Sequence, residues 1–139
     1  DAGAGRGYYF RPEPGDEVIV GFFNDDPRQA VILGAMYGPA NEPSPDMDAA
    51  NAKNLIKGIM SKKGLTLAFV DDEKPMFFIE TPAHNKIIFD DSGEVVQLSD
   101  QHGNAITMNK DGIEIKSAKK LTLSASGDVE ISGTKVDVK

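Results

Sequence analysis

The chain has 139 residues, 40% hydrophobic and 27% charged, with 22 acidic side chains against 15 Lys and Arg and a formal charge of −7. That balance suits an ordinary folded protein and argues against nucleic acid as a main partner, because phosphate binding wants a basic face. The chain has no cysteine, which excludes a disulfide scaffold and any thiolate metal site.

The opening, Asp1-Ala-Gly-Ala-Gly-Arg-Gly7, lacks an initiator Met and a signal-peptide pattern, so the chain is expected to be a C-terminal fragment of a longer protein. Tyr8 to Tyr37 reads as a compact β-module. Tyr8-Tyr9-Phe10-Arg11 is predicted as a short strand, and Pro12-Glu-Pro-Gly-Asp16 as a turn. Glu17-Val-Ile-Val-Gly-Phe-Phe23 is a nearly continuous apolar strand, bent at Gly21 and far short of the ~18 residues of a membrane span. Asn24 to Arg28 turns the chain, and Gln29 to Tyr37 returns as the hairpin partner. These pieces are too few for a closed barrel.

Residues 38–54 carry three prolines and no strand alternation, which marks a linker; Asp46 is a possible cap for a helical turn within it. From Leu55 a strand pattern resumes in less regular units: Leu55–Met60, Leu65–Val70, Met76–Thr81, Lys86–Phe89 and Val95–Leu98, separated by polar turns.

The last third is regular. Five short segments each place two aliphatics around one polar residue: Ile106/Met108, Ile113/Ile115, Leu121/Leu123, Val129/Ile131 and Val136/Val138. Strand side chains alternate, so each pair points to one side. Steps of eight from Ile115 to Leu123 to Ile131, with steps of seven at either flank, imply a repeat architecture whose units are not stable alone. Two aliphatics per repeat offer about 1.5–3 kcal/mol each on full burial, against about 1–2 kcal/mol of backbone entropy for every ordered residue. The strands must therefore wrap around something: either a single-chain solenoid or three chains meeting on one axis. Aromatic residues stop at Phe89, and an interior of Val, Ile and Leu suits the narrow axis of a trimer.

Gly5 to Tyr37, with its Pro12-Glu-Pro-Gly-Asp-Glu-Val18 segment, resembles the end of the OB-fold domain of valine-glycine repeat (VgrG) spike proteins of contractile injection systems. Asn54 to Asp72 resembles that family's entry into its β-helix, and Asn104 to Ser117 with the repeats after it resembles the needle. The resemblance implies an all-β fold: part of an OB-fold (1–40), a linker (41–54), an irregular start of a β-helix (55–102), and a regular β-helix (103–139) intertwined in a homotrimer. It implies a trimer axis lined by Ile106, Met108, Ile113, Ile115, Leu121, Leu123, Val129, Ile131, Val136 and Val138. It further implies a structural spike of a type VI secretion or phage-tail-like machine, assembled in the bacterial cytoplasm and driven out, with transient passage through a target membrane. Its partners would be a proline-alanine-alanine-arginine (PAAR) repeat tip protein or effector at the C-terminal end, and tube or hub proteins bound through N-terminal domains outside this stretch.

No catalytic, cofactor or metal site is expected. Asp25-Asp26, Asp71-Asp72 and Asp90-Asp91 lie in strand connections, where Asp is a good turn residue, and none has the spacing of a calcium loop. His84 and His102 lie in turns eighteen positions apart with no nucleophile motif beside them, and they supply no His-x-His metal apex. The competing readings are a trimeric tail fibre or adhesin shaft, which would want a receptor-binding tip, and a carbohydrate-binding OB module, which would want aromatics exposed on a barrel face.

Overall fold

A computed structural model describes residues 2–47 and 53–137. Its chain divides into two units, Asp1–Ala52 and Lys53–Lys139. Among the described residues every regular element is a strand or a single 3-10 turn.

In the first unit, β1 (Ala2–Gly3) pairs with β2 (Arg6–Gly7), and β3 (Glu17–Phe22) pairs with β4 (Ala30–Met36), both antiparallel. The predicted Pro-Gly turn forms: Asp16 N donates to Glu13 O at 3.0 Å, and Glu13 N donates to Asp16 Oδ2 at 2.7 Å. A bulge between Ile19 and Val20 leaves Leu33 of β4 as the extra residue. Gly21 lies close to that residue, and a Cβ there would sit a tight 3.2 Å from Leu33 Cδ1. The strand expected at Tyr8–Arg11 does not form. These residues have no ladder partner among the described ones, and Tyr8 instead stacks on Phe10 with ring centroids 4.8 Å apart. Of the helical turn expected near Asp46, a 3-10 turn at Pro45–Met47 is present, and the rest lies outside the described residues.

The second unit is one seven-stranded antiparallel meander: β5 (Ile56–Met60), β6 (Thr66–Val70), β7 (Met76–Glu80), β8 (Lys86–Asp90), β9 (Val95–Ser99), β10 (Ala105–Asn109) and β11 (Gly112–Lys116). Each strand pairs only with its sequence neighbours. Strand starts from Ile56 to Ala105 advance by ten residues, with one step of nine.

Three turns along one edge, Ser61–Leu65, Thr81–Asn85 and Asp100–Asn104, share a single construction. The first residue's side-chain oxygen accepts the N–H of the fifth, at 3.0, 3.2 and 2.9 Å. The first N–H donates to the fifth carbonyl at 2.9, 3.0 and 3.1 Å. The fourth residue is left-handed: Gly64 (φ 79), His84 (φ 61) and Gly103 (φ 85). Ser, Thr and Asp suit the first place because their short side chains reach their own backbone.

Beyond Lys116 the chain runs to residue 137 without a strand. The three final repeats were expected as strands, but a strand needs a neighbour for its N–H and C=O groups, and among the described residues none lies alongside.

Candidate subunit interface

Register places the seven strands so that alternate residues form continuous rows on one face of the sheet. One row is Ile59, Leu67, Ile79, Ile87, Leu98, Ile106 and Ile115. The other, two residues away along each strand, is Lys57, Phe69, Phe77, Phe89, Val96, Met108 and Ile113. Thirteen of these fourteen side chains are apolar. The three phenylalanines form a run, Phe69–Phe77 at 5.0 Å and Phe77–Phe89 at 5.8 Å between ring centroids, both tilted. Lys57, the lone charge, sends its Nζ off the face to Asp71 Oδ2 (2.7 Å) and Asn54 O (2.8 Å).

The face between those rows changes along the sheet. Ala68, Phe78 and Ile88 give way to Gln97, Thr107 and Glu114, with Gln97 Nε2 donating to Thr107 Oγ1 at 3.3 Å. From β9 onward the sheet is therefore amphipathic: apolar on one side, polar on the other.

No second layer covers this apolar face among the described residues. Seven strands about 4.8 Å apart and five residues of about 3.4 Å outline roughly 550 Å², near the upper end of the largest apolar patch a typical monomer exposes, a size that often marks a functional surface. Ala68 is the only described hydrophobic side chain that is fully buried, while Phe69 is 49% exposed and Ile113 72% exposed. The whole chain exposes 11920 Å², against about 7,000 Å² for a compact 14.9 kDa monomer or about 8,400 Å² for two separate bodies of these sizes.

Of the ten side chains expected on an axis, the structure brings four together: Ile106 pairs with Ile115, and Met108 with Ile113, on this face. Leu121, Leu123, Val129, Ile131 and Val136 are exposed in the strandless stretch and are not brought together, and Val138 lies outside the described residues. Sequence reasoning missed the nine apolar positions contributed by β5–β9. The signal was present, since Leu67/Phe69, Phe77/Ile79, Ile87/Phe89 and Val96/Leu98 have the same one-residue spacing as the tail pairs.

The polar clusters serve turns. Asp26 accepts from Arg28 Nε and Nη2 at 3.0 and 2.9 Å, which holds its carboxyl below the usual range. Asp90 Oδ1 accepts Gly93 N at 2.9 Å, and Asp100 is held low by hydrogen bonds from Asn104 and His102. Glu80 binds His84 Nδ1 at 2.7 Å and Lys86 Nζ at 2.8 Å. Desolvation raises its pKa, but the bonds from Lys86 and His84 outweigh this and leave it lowered.

Residues 1–37 match the model of the type VI secretion system/phage-baseplate injector OB domain, and residues 76–139 match that of the phage baseplate V C-terminal trimerisation domain. The chain belongs to the VgrG-like phage-baseplate spike family. Its role is therefore that of a structural part of an injector baseplate. The trimerisation match begins at Met76, the first residue of β7, and runs through the strandless tail. Strands β5 and β6 precede that match yet continue both apolar rows. No curated protein matches the chain.

Proposed function

We propose that this chain forms the homotrimeric needle of a contractile injection machine, with its apolar rows turned onto a common axis and its tail strands paired between chains. The observation that carries the reading is the pair of rows, apolar at thirteen of fourteen places and largely exposed in one chain, joined to a trimerisation-domain match. Three such faces brought together remove from water the surface that one chain leaves open, and burial of apolar area is the main favourable term in association. The ten aliphatics from Ile106 to Val138 then form the narrow end of that axis, and Phe69, Phe77 and Phe89 its thicker beginning.

The mechanism is mechanical. In a rod whose strands bond within and between chains, opening one repeat breaks contacts to two other chains, so unfolding is slow under load. Under this reading residues 1–40 are part of a collar, 41–54 a linker, and the C-terminal end carries a PAAR-repeat tip protein or effector through a target envelope. This reading calls on no catalysis, cofactor or metal, and it is supported by Asp26, Asp90 and Asp100 each accepting hydrogen bonds within their own turns.

The test is delivery by a complete machine carrying Ile115→Ala, which thins the axis without placing charge on it. The spike reading predicts particles that still attach to target cells but no longer breach them. Loss of attachment with breaching intact in the particles that do attach would favour a receptor-binding fibre and contradict the reading.

A further inference from the structure

Along the edge that carries the three alike turns, successive turns are tied together by asparagine. Asn85 Oδ1 accepts the backbone N–H of Gln101 in the next turn at 3.3 Å, and Asn104 Oδ1 accepts that of Ala118, one hairpin further on, at 2.8 Å. In both cases the amide nitrogen is committed to its own turn: Asn85 Nδ2 to Thr81 Oγ1 at 3.0 Å, and Asn104 Nδ2 to Asp100 Oδ2 at 2.7 Å. An ionised carboxylate only accepts, so Asn104 must present its NH₂ to Asp100, which leaves its oxygen for the following turn. The first turn lacks the tie on both sides: its fifth residue is Leu65, with no polar atom, and the residue opposite is Pro82, with no N–H. Acceptor and donor are thus present together or absent together. The first and last of these junctions are in close contact, as Gly64 would place a Cβ 3.5 Å from Pro82 Cγ, and Gly103 a Cβ 3.9 Å from Ala118 Cβ.

The second tie sits at a special place. After Lys116 the sheet ends, and among the described residues the bond from Ala118 to Asn104 is the last hydrogen bond between the sheet and the chain that follows. We propose that Asn104 is a positioning residue that fixes the line along which the chain leaves its own sheet, so that Leu121 and Leu123 enter the inter-chain part of the needle in register. This rests on the trimeric needle reading. Asn85 makes the same tie between two turns that are both held by flanking strands, so its loss leaves the exit untouched.

Lys119 and Lys120 stand immediately after the clasp and make a built-in reporter, because in the assembled needle trypsin reaches them only when the segment leaves its inter-chain pairing. Limited trypsin digestion of the assembled chain should show cleavage at Lys119–Lys120 rising roughly five-fold in Asn104→Ala, the change expected for the loss of one net hydrogen bond, and unchanged in Asn85→Ala. Ala118→Pro is the second variant. It removes the donor while leaving the Asp100–Asn104 turn intact, places there the residue that the Thr81 turn already accepts as Pro82, and should match Asn104→Ala. Cleavage unmoved in both Asn104→Ala and Ala118→Pro, or raised equally in Asn85→Ala, overturns the proposal while the wild type remains trimeric. A monomeric wild type instead overturns the needle reading, and the proposal with it.

Discussion

Phe77 lies directly across from Phe89 on the apolar face, ring centroids 5.8 Å apart, in a chain that provides no layer to cover either ring. Phe77 is half-buried in the single chain and Phe89 is 45% exposed, so an assembly has more of both rings to bury. Phe77→Ala should therefore cost about 3–5 kcal/mol per chain, the usual loss for a buried Phe, in thermal unfolding of the assembled particle. A loss of a few tenths only would mean that the ring stays in water.

Ile115→Asp would set three carboxylates together on a dry axis and should abolish assembly, because an unpaired buried charge is costly. Glu114→Lys is the control. Glu114 sits on the other face, in row with Gln97 and Thr107, so its charge reversal should move stability by no more than about 0.5 kcal/mol. Sedimentation of the two variants side by side separates the faces of the sheet.

Glu80 gives the acid response a sign. Its carboxyl is lowered from 4.5 against desolvation by the bonds from Lys86 and His84. A carboxyl with a depressed folded pKa adds stability above its unfolded value, and that stability is lost as pH falls through the folded value. Unfolding midpoints should thus drop as pH falls from about 4.5, and Glu80→Gln should flatten that part of the profile. A wild-type curve that rises as pH falls through this window would contradict the assignment.

Gly103 takes the left-handed place in the third turn (φ 85), which a side chain enters at a cost of about 1–2 kcal/mol. Gly103→Ala should lower stability by that amount per chain. The same place in the second turn holds His84 at φ 61, so His84→Gly relieves backbone strain while giving up the bond to Glu80. Denaturant titration of the two variants should therefore show a clear loss for Gly103→Ala and a smaller net change for His84→Gly.

How much of this was legible in the sequence varied with what each segment packs against. The β3–β4 hairpin and its Pro-Gly lead-in were readable because local turn chemistry decides them. The first two tail pairs, Ile106/Met108 and Ile113/Ile115, were readable too, since a sheet polar on one side leaves a clean alternation, as at Ile113-Glu114-Ile115. The ten-residue meander from β5 to β9 was harder, because Phe78 and Ile88 are apolar on the second face and turn Met76-Phe-Phe-Ile79 and Ile87-Ile-Phe89 into unbroken runs. The alternation from Leu121 to Val136 predicts strands, yet pattern supplies only one side of a ladder, and among the described residues no backbone lies alongside. The asparagine clasps had no sequence signal apart from two Asn residues at the fifth place of similar turns, and only the register reveals what each one reaches.

The most direct test of the trimeric needle is the mass of the native particle in solution by light scattering, run beside an unboiled denaturing gel. The account predicts about 45 kDa, three times the 14.9 kDa chain, and a band that withstands detergent until it is heated. A folded species at the mass of one chain would contradict it.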